Sequence, residues 1–258
     1  MLDSLIFDSH AHYDDAAFDS DREELLASLP QKGVCHVINA GASLKGSAAS
    51  IALAEKYEFI HAAAGIHPED AFGLPADWQE QLSQMLSHPN VVALGEIGLD
   101  YHYEDACPRD IQQQVFEAQL RMAKERNLPV IVHDREAHGD VLALLQKYRP
   151  RGVVHCFSGS AEMALEVVEL GMYIGLGGAV TFKNARRPLE VAAAVPLDRL
   201  LNETDAPYMA PVPCRGKRCD STLIPYSAAK IGEVRGVSAV EVLRWGKENA
   251  AELFGITL

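Results

Sequence analysis

A closed (β/α)8 barrel is the fold class this sequence predicts, and three observations predict it. Short β-branched or apolar runs that end at polar or glycine-rich turns occur eight times, each is followed by a segment of helical period, and the connections span only a few residues. Strand and helix alternating in this way build a parallel sheet, and eight repeats favour closure into a barrel over an open doubly wound sheet. At 258 residues the chain matches the roughly 250 that such barrels use as one unit. No linker divides it, so one domain over residues 1–258 is expected.

In chain order the strand candidates are residues 5–7, 34–40, 59–65, 91–96, 130–133, 152–155, 173–176 and 200–204. The helix after the fourth is the clearest: Asp110 offers an N-cap, and Ile111, Val115, Ala118 and Met122 recur at spacings of four, three and four. Another spans 160–170 and stops at Gly171, where a left-handed cap is expected. The longest stretch without clear period is 206–222, carrying Pro207, Pro211 and Pro213. A loop that long inside a compact domain points to function.

Composition excludes several classes. The chain is 48% hydrophobic and 23% charged, which is globular, and no apolar run approaches the ~18 residues of a membrane span. Its first ten residues lack the basic and apolar regions of a leader, so a cytoplasmic location and no membrane partner are expected. The five cysteines are scattered with no Cys-x-x-Cys, so they read as reduced thiols, Cys214 and Cys219 included. With 23 Lys+Arg against 36 Asp+Glu the formal charge is −13, which opposes duplex binding through counterion release. A phosphate would need a local basic patch or a metal. Two tryptophans, Trp78 and Trp245, make an extended stacking platform unexpected.

His10-Ala-His12 lies just past the first predicted strand, where alternate residues of an extended segment point the same way. Alone, such a pair is as readily a hydrogen-bonded surface feature as a ligand pair. Position changes the reading: Glu96, His133 and His155 end the fourth, fifth and sixth predicted strands and Asp205 follows the eighth. In a (β/α)8 barrel those ends share the face where active sites sit. Four imidazoles and two carboxylates converging there need a positive partner, and the donor set suits two borderline divalent ions. Glu96, with two oxygens, can bridge two cations about 3.5–4 Å apart, a pair that generates hydroxide while polarising the oxygen under attack. The alternative, satisfied core histidines, must hold for all of these residues together.

Six segments, Asp8-Ser-His10-Ala-His12, Gly65-Ile-His67-Pro, Gly95-Glu96-Ile-Gly-Leu-Asp100-Tyr, Pro129-Val-Ile-Val-His133-Asp-Arg135, His155-Cys-Phe-Ser158-Gly and Glu203-Thr-Asp205-Ala-Pro-Tyr, resemble the ordered motifs of the TatD-type metal-dependent deoxyribonucleases of the amidohydrolase superfamily. The resemblance spans essentially the whole chain. It implies that His10, His12 and Asp205 hold one metal, that His133 and His155 hold the second and that Glu96 bridges them. It also implies that Asp205 orients or deprotonates the attacking water, and that the substrate is a phosphodiester near a nucleic-acid end. Two divalent ions per chain follow, zinc, manganese or magnesium. The magnesium usual in such a family sits awkwardly with four imidazoles, which suit softer ions.

On the substrate side, barrels often bind phosphate with the loops after strands seven and eight, where Lys183 and Arg215 lie. From 181 to 218 there are seven Lys/Arg (183, 186, 187, 199, 215, 217, 218) against four Asp/Glu (190, 198, 203, 205). Such a cationic stretch suits a phosphate and equally a solvated loop. Arg135 and His67 can reach the same mouth. Asp8 and Glu203 are candidates for orienting ligands from behind, and Cys156 is expected to pack behind the barrel wall. One departure from the family is visible: where relatives read Arg-Gly-x-x-Asn-Glu-Pro, this chain has Arg215-Gly-Lys-Arg-Cys219-Asp220-Ser221, which leaves substrate specificity open. Two further readings keep the metals: hydrolysis of a small ester, lactone or amide, and a metal-binding protein without turnover.

Overall fold

The computed structural model describes residues 4–103 and 107–258, so the first three residues of the segment read for a leader lie outside it. Eight parallel strands pair in chain order: β1 (Ile6–Ala11), β2 (Val34–Ala40), β3 (Ile60–Ala64), β4 (Val91–Asp100), β5 (Val130–Arg135), β6 (Gly152–Val154), β7 (Tyr173–Leu176) and β8 (Leu200–Asn202). Helices α1 (Arg22–Ser28), α2 (Leu44–Lys56), α3 (Trp78–Met85), α4 (Arg109–Arg126), α5 (His138–Tyr148), α6 (Ala161–Glu169) and α7 (Arg186–Ala194) follow the first seven strands in turn. After β8 come α8 (Ile224–Arg235) and α9 (Ala239–Phe254). Among the described residues no helix is long and apolar enough to cross a membrane.

One residue from each strand, Phe7, Ile38, Ala63, Ala93, Ile131, Val153, Tyr173 and Leu201, forms an inner cluster. Phe254 of α9 joins it, its ring stacked 6.4 Å from Phe7. A second, larger cluster fills the layer between strands and helices.

Three strands continue beyond their predicted ends, β1 to Ala11, β4 to Asp100 and β5 to Arg135. His10 therefore lies inside β1 rather than past it, and Glu96 and His133 lie within strands rather than at their ends. The cause is burial of polar residues: Asp8, Ser9, His10, Glu96 and Asp100 are all buried, so the polarity that signals a turn belongs here to extended chain. Gly98, at φ +148, is required where β4 meets β5, because a Cβ there would lie 2.0 Å from the His133 carbonyl oxygen.

β8 and β1 close the barrel without a ladder. The Ala11–Ala206 bridge joins them, with the His12 N–H donating to Ala206 O at 2.7 Å and the Asp205 N–H to His10 O at 2.9 Å. Behind this seam the buried Asp8 carboxylate accepts from the Thr204 N–H (3.0 Å), the Thr204 hydroxyl (2.6 Å) and the Ser221 hydroxyl (2.7 Å). Burial carries Asp8 up to about 6 against those hydrogen bonds.

Helix α4 starts at Arg109 with Pro108 as N-cap, so Asp110 sits in the first turn, where the helix dipole favours it, and does not cap. Its buried face carries two glutamines. Gln119 bonds both the N–H (2.8 Å) and the carbonyl (3.0 Å) of Ile66, and Gln112 bonds both of Asp100 (2.8 Å each) and the Cys107 carbonyl (2.8 Å). These side chains satisfy backbone groups where β3 and β4 leave the sheet. Helix α6 follows expectation, with Ser160 capping the Met163 N–H and Gly171 at φ +89 beyond its end. The 206–222 loop is tied at its neck by Cys219 N–H to Pro207 O (2.9 Å) and to the preceding loop by Val212 N–H to the Thr181 hydroxyl (2.8 Å).

Candidate metal centre

At the C-terminal ends of the strands a cavity of about 730 Å³ opens over Glu96. The structure brings His10, His12, Glu96, His133, His155 and Asp205 together beneath it, from five different strands or the residues just past them. Glu96 is the hub. Its Oε2 lies 3.3 Å from His10 Nε2 and 3.4 Å from His12 Nε2, while its Oε1 lies 2.7 Å from His155 Nε2 and 3.0 Å from His133 Nδ1. Each oxygen of one carboxylate therefore serves its own pair of imidazoles. Asp205 Oδ1 joins the first pair, 3.5 Å from His12 Nε2 and 3.8 Å from His10 Nε2. Asp205 adopts a left-handed backbone, φ +61, that turns it into the cavity straight after the seam.

The ring nitrogens pointing away from the cluster show how two imidazoles are held. His12 Nδ1 donates to the Ala40 carbonyl at 2.8 Å, leaving Nε2 as the inward donor atom. His133 Nε2 donates to Asp100 Oδ2 at 3.0 Å, leaving Nδ1 inward. Both arrangements fix ring and tautomer, as outer partners of metal-binding histidines do. His10 Nδ1 and His155 Nδ1 are buried with no hydrogen-bond partner among the described residues, and their rings stack 3.8 Å apart, so those imidazoles face the cluster through Nε2.

Protonation reports the same crowding. Burial and the neighbouring His155 push His10 down to about 4. Burial works against charge on His133 too, but hydrogen bonds to Asp100 and Glu96 carry it up to about 10. Burial likewise opposes the Glu96 charge, yet His155, His10 and His67 hold it well below the usual carboxylate range. The metal-free cluster is thus knit by shared protons, and a donor set of neutral imidazoles and carboxylates is one that divalent cations take over by displacing them. The residues present fit that chemistry.

Asp100 is the functional residue that sequence reasoning missed. The signal was available: it sits four residues after Glu96 on β4, and even spacing along a strand keeps one face. The other candidates separate. His67, which caps the turn at Pro68–Asp70, lines the cavity with Nε2 3.6 Å from Glu96 Oε1; its Nδ1 accepts the Glu69 N–H, which places the proton on Nε2. Burial takes His67 down to about 3, so it is a neutral donor facing the cavity. Arg135 also lines it, held over the Tyr103 ring at 5.1 Å and 4.0 Å from Asp100. Lys183 is exposed and lines neither this cavity nor the groove beside it. Arg215 faces the neighbouring groove, its guanidinium 3.9 Å from the Phe182 ring centre. Cys156 corrects expectation: a left-handed residue at φ +43 turns it into the cavity lining instead of behind the wall. Its N–H donates to the buried Glu203, which thereby anchors the backbone beside His155 and which burial raises to about 8.

A profile of the family described as TatD related DNase matches residues 7–255. The chain belongs to that family. It is 40% identical over 255 residues to the uncharacterized metal-dependent hydrolase YabD of Bacillus subtilis, covering 98% of this chain and all of that one. It is 36% identical over 260 residues to the 3'-5' ssDNA/RNA exonuclease TatD of Cronobacter sakazakii, covering 96% and 97%. The crystal structure of the TatD homologue YjjV of Escherichia coli superposes with a TM-score of 0.92 at 35% identity, covering both chains in full. Like its TatD relatives, the chain is a metal-dependent hydrolase of ester bonds.

Proposed function

We propose that this chain is a two-metal phosphodiesterase acting at the ends of single-stranded nucleic acid, and that Glu96 carries the reading. One carboxylate whose two oxygens face two separate imidazole pairs is the arrangement a bridging ligand needs. His10, His12 and Asp205 would hold one ion and His133 and His155 the other, with Glu96 available to both. Bound ions there supply Lewis acidity toward a phosphoryl oxygen and acidify water. Zinc or manganese suits the imidazoles better than magnesium.

The chain's own residues do the rest. Asp205, 21% exposed at its side chain and rooted beside the seam, accepts the proton of the attacking water. His67 donates its Nε2–H to a nonbridging oxygen, and Arg135 offers a guanidinium fork across the mouth. Relatives named as 3'-5' ssDNA/RNA exonucleases support the substrate class.

The test is hydrolysis of bis-p-nitrophenyl phosphate and of a labelled single-stranded oligonucleotide by stripped enzyme refilled with zinc, manganese or magnesium, beside Glu96→Ala. Metal-dependent cleavage absent from the variant is the expected result. No cleavage by the wild type with any bound metal would overturn the reading and redirect the search to lactones and amides.

A further inference from the structure

We propose that the nucleic-acid strand leaves the metal cavity across Tyr208 and lays its next two phosphates on Arg215 and Lys217. The proposal rests on the phosphodiesterase reading and adds the path of the strand. A groove of about 520 Å³, lined by Arg215, Lys217 and Arg218, adjoins the metal cavity, and the two share Tyr208 and Met209 as a common wall.

Tyr208 is built to be a step. Its N–H donates to the Asp205 carbonyl at 2.8 Å, and its hydroxyl donates to Asp15 at 2.9 Å, while 55% of the residue stays exposed. An aromatic ring tethered at both ends and open to solvent is a stacking surface for an unpaired base. A base inside a duplex could not reach it.

The three cations beyond it differ in what they are free to do. Arg218 is engaged by Asp21 through two hydrogen bonds of 2.7 and 2.6 Å and by the Ala17 carbonyl. Arg215 is stacked on Phe182, and among the described residues neither it nor Lys217 has an acidic partner. The lining of the metal cavity carries Glu69 and Asp70 and also Asp14 and Asp15, the last bonded to Tyr208. Beyond those acids, Arg215 and Lys217 are the cations the groove offers to phosphates. A strand whose end sits over the metal cavity runs out past Tyr208 along this groove.

The test is anisotropy of a labelled oligo-dT of eight nucleotides, its 3'-terminal linkage a phosphorothioate to slow cleavage, on metal-loaded enzyme across a salt series. Arg215→Gln with Lys217→Gln is expected to weaken binding about 10-fold and to make the log–log salt slope shallower by about 1.4, two phosphates at roughly 0.7 each for a single strand. Tyr208→Ala is expected to weaken binding about 10-fold with the slope unchanged, and Tyr208→Phe to restore it. Removing two cations on outer helices, Lys124→Gln with Lys147→Gln, controls for net charge. A slope for the Arg215/Lys217 variant equal to that of wild type or of this control overturns the path. If wild type cleaves oligonucleotides while the slope does not move, the path fails and the phosphodiesterase stands. If it cleaves none while the slope falls as stated, the path stands and the phosphodiesterase fails.

Discussion

The two halves of the metal centre share Glu96 and are held in different ways. On the seam side, His12 is oriented by a backbone carbonyl, that of Ala40, and Asp205 by a backbone hydrogen bond to His10. On the far side, His133 is oriented by a side chain, Asp100, itself pinned through its backbone by Gln112 and through its carboxylate by the His102 N–H. The seam half is fixed by the fold itself. The far half depends on a relay of replaceable side chains, so it is the half that substitution can tune.

The largest break is at the shared residue. Glu96→Ala should remove both ions and lower turnover by about 10³-fold or more, the scale of losing a group that acts on transition-state charge; metal content by elemental analysis should fall with it. Asp100→Asn should separate the halves, weakening one ion by about 10–100-fold and leaving the other in place. Isothermal titration would then resolve one weak and one unchanged site, and equal weakening of both would contradict the contrast.

Gln112→Leu leaves the Asp100 N–H and two carbonyls without partners, so it should cost about 1–3 kcal/mol in urea unfolding and loosen the far ion. Gln119→Leu should cost about as much without touching metal affinity, since it serves Ile66 beside His67.

Protons sharpen the comparison further. In the metal-free protein His133 is raised from 6.5 to about 10, burial opposing and Asp100 and Glu96 prevailing. Its charge therefore stabilises the metal-free fold fully below 6.5, and that contribution is lost as pH rises toward 10. Metal must displace the Nδ1 proton, so affinity of the far half should climb through the same window. Calorimetry at pH 8 in buffers of different ionisation enthalpy should show proton release, reduced in Asp100→Asn; buffer-independent heats would count against it. The smallest effect belongs to Lys183→Ala, expected to change stability by under about 0.5 kcal/mol and to leave the metal titration unmoved.

Much of this is legible in the sequence, for a physical reason. Eight apolar runs with helical segments between them dictate the barrel, and an imidazole or carboxylate near the end of a buried run has few ways to be satisfied. That alone points His10, His12, Glu96, His133, His155 and Asp205 to one mouth. The orienting groups are harder to read. The Ala40 carbonyl has no side-chain signature, and Gln112 and Gln119 look like exposed helix positions. Their burial follows from unsatisfied backbone on another segment. Lys183 and Arg215 are equivalent as charges in sequence, and only the fold tells them apart: Arg215 stacks on Phe182 and lines the groove, and Lys183 lines neither space.

The tie between the Cys219 amide and the Pro207 carbonyl closes the chain from 207 to 219 on itself. A segment stapled at its own neck can vary at its tip while the barrel beneath keeps its register. Past the neck, Asp220 caps the turn that follows through the Thr222 N–H and the buried Ser221 donates to Asp8, so that end of the loop is fixed to the seam. Changes at Arg215 and Lys217, between the two ends of the staple, therefore leave in place the seam that positions Asp205.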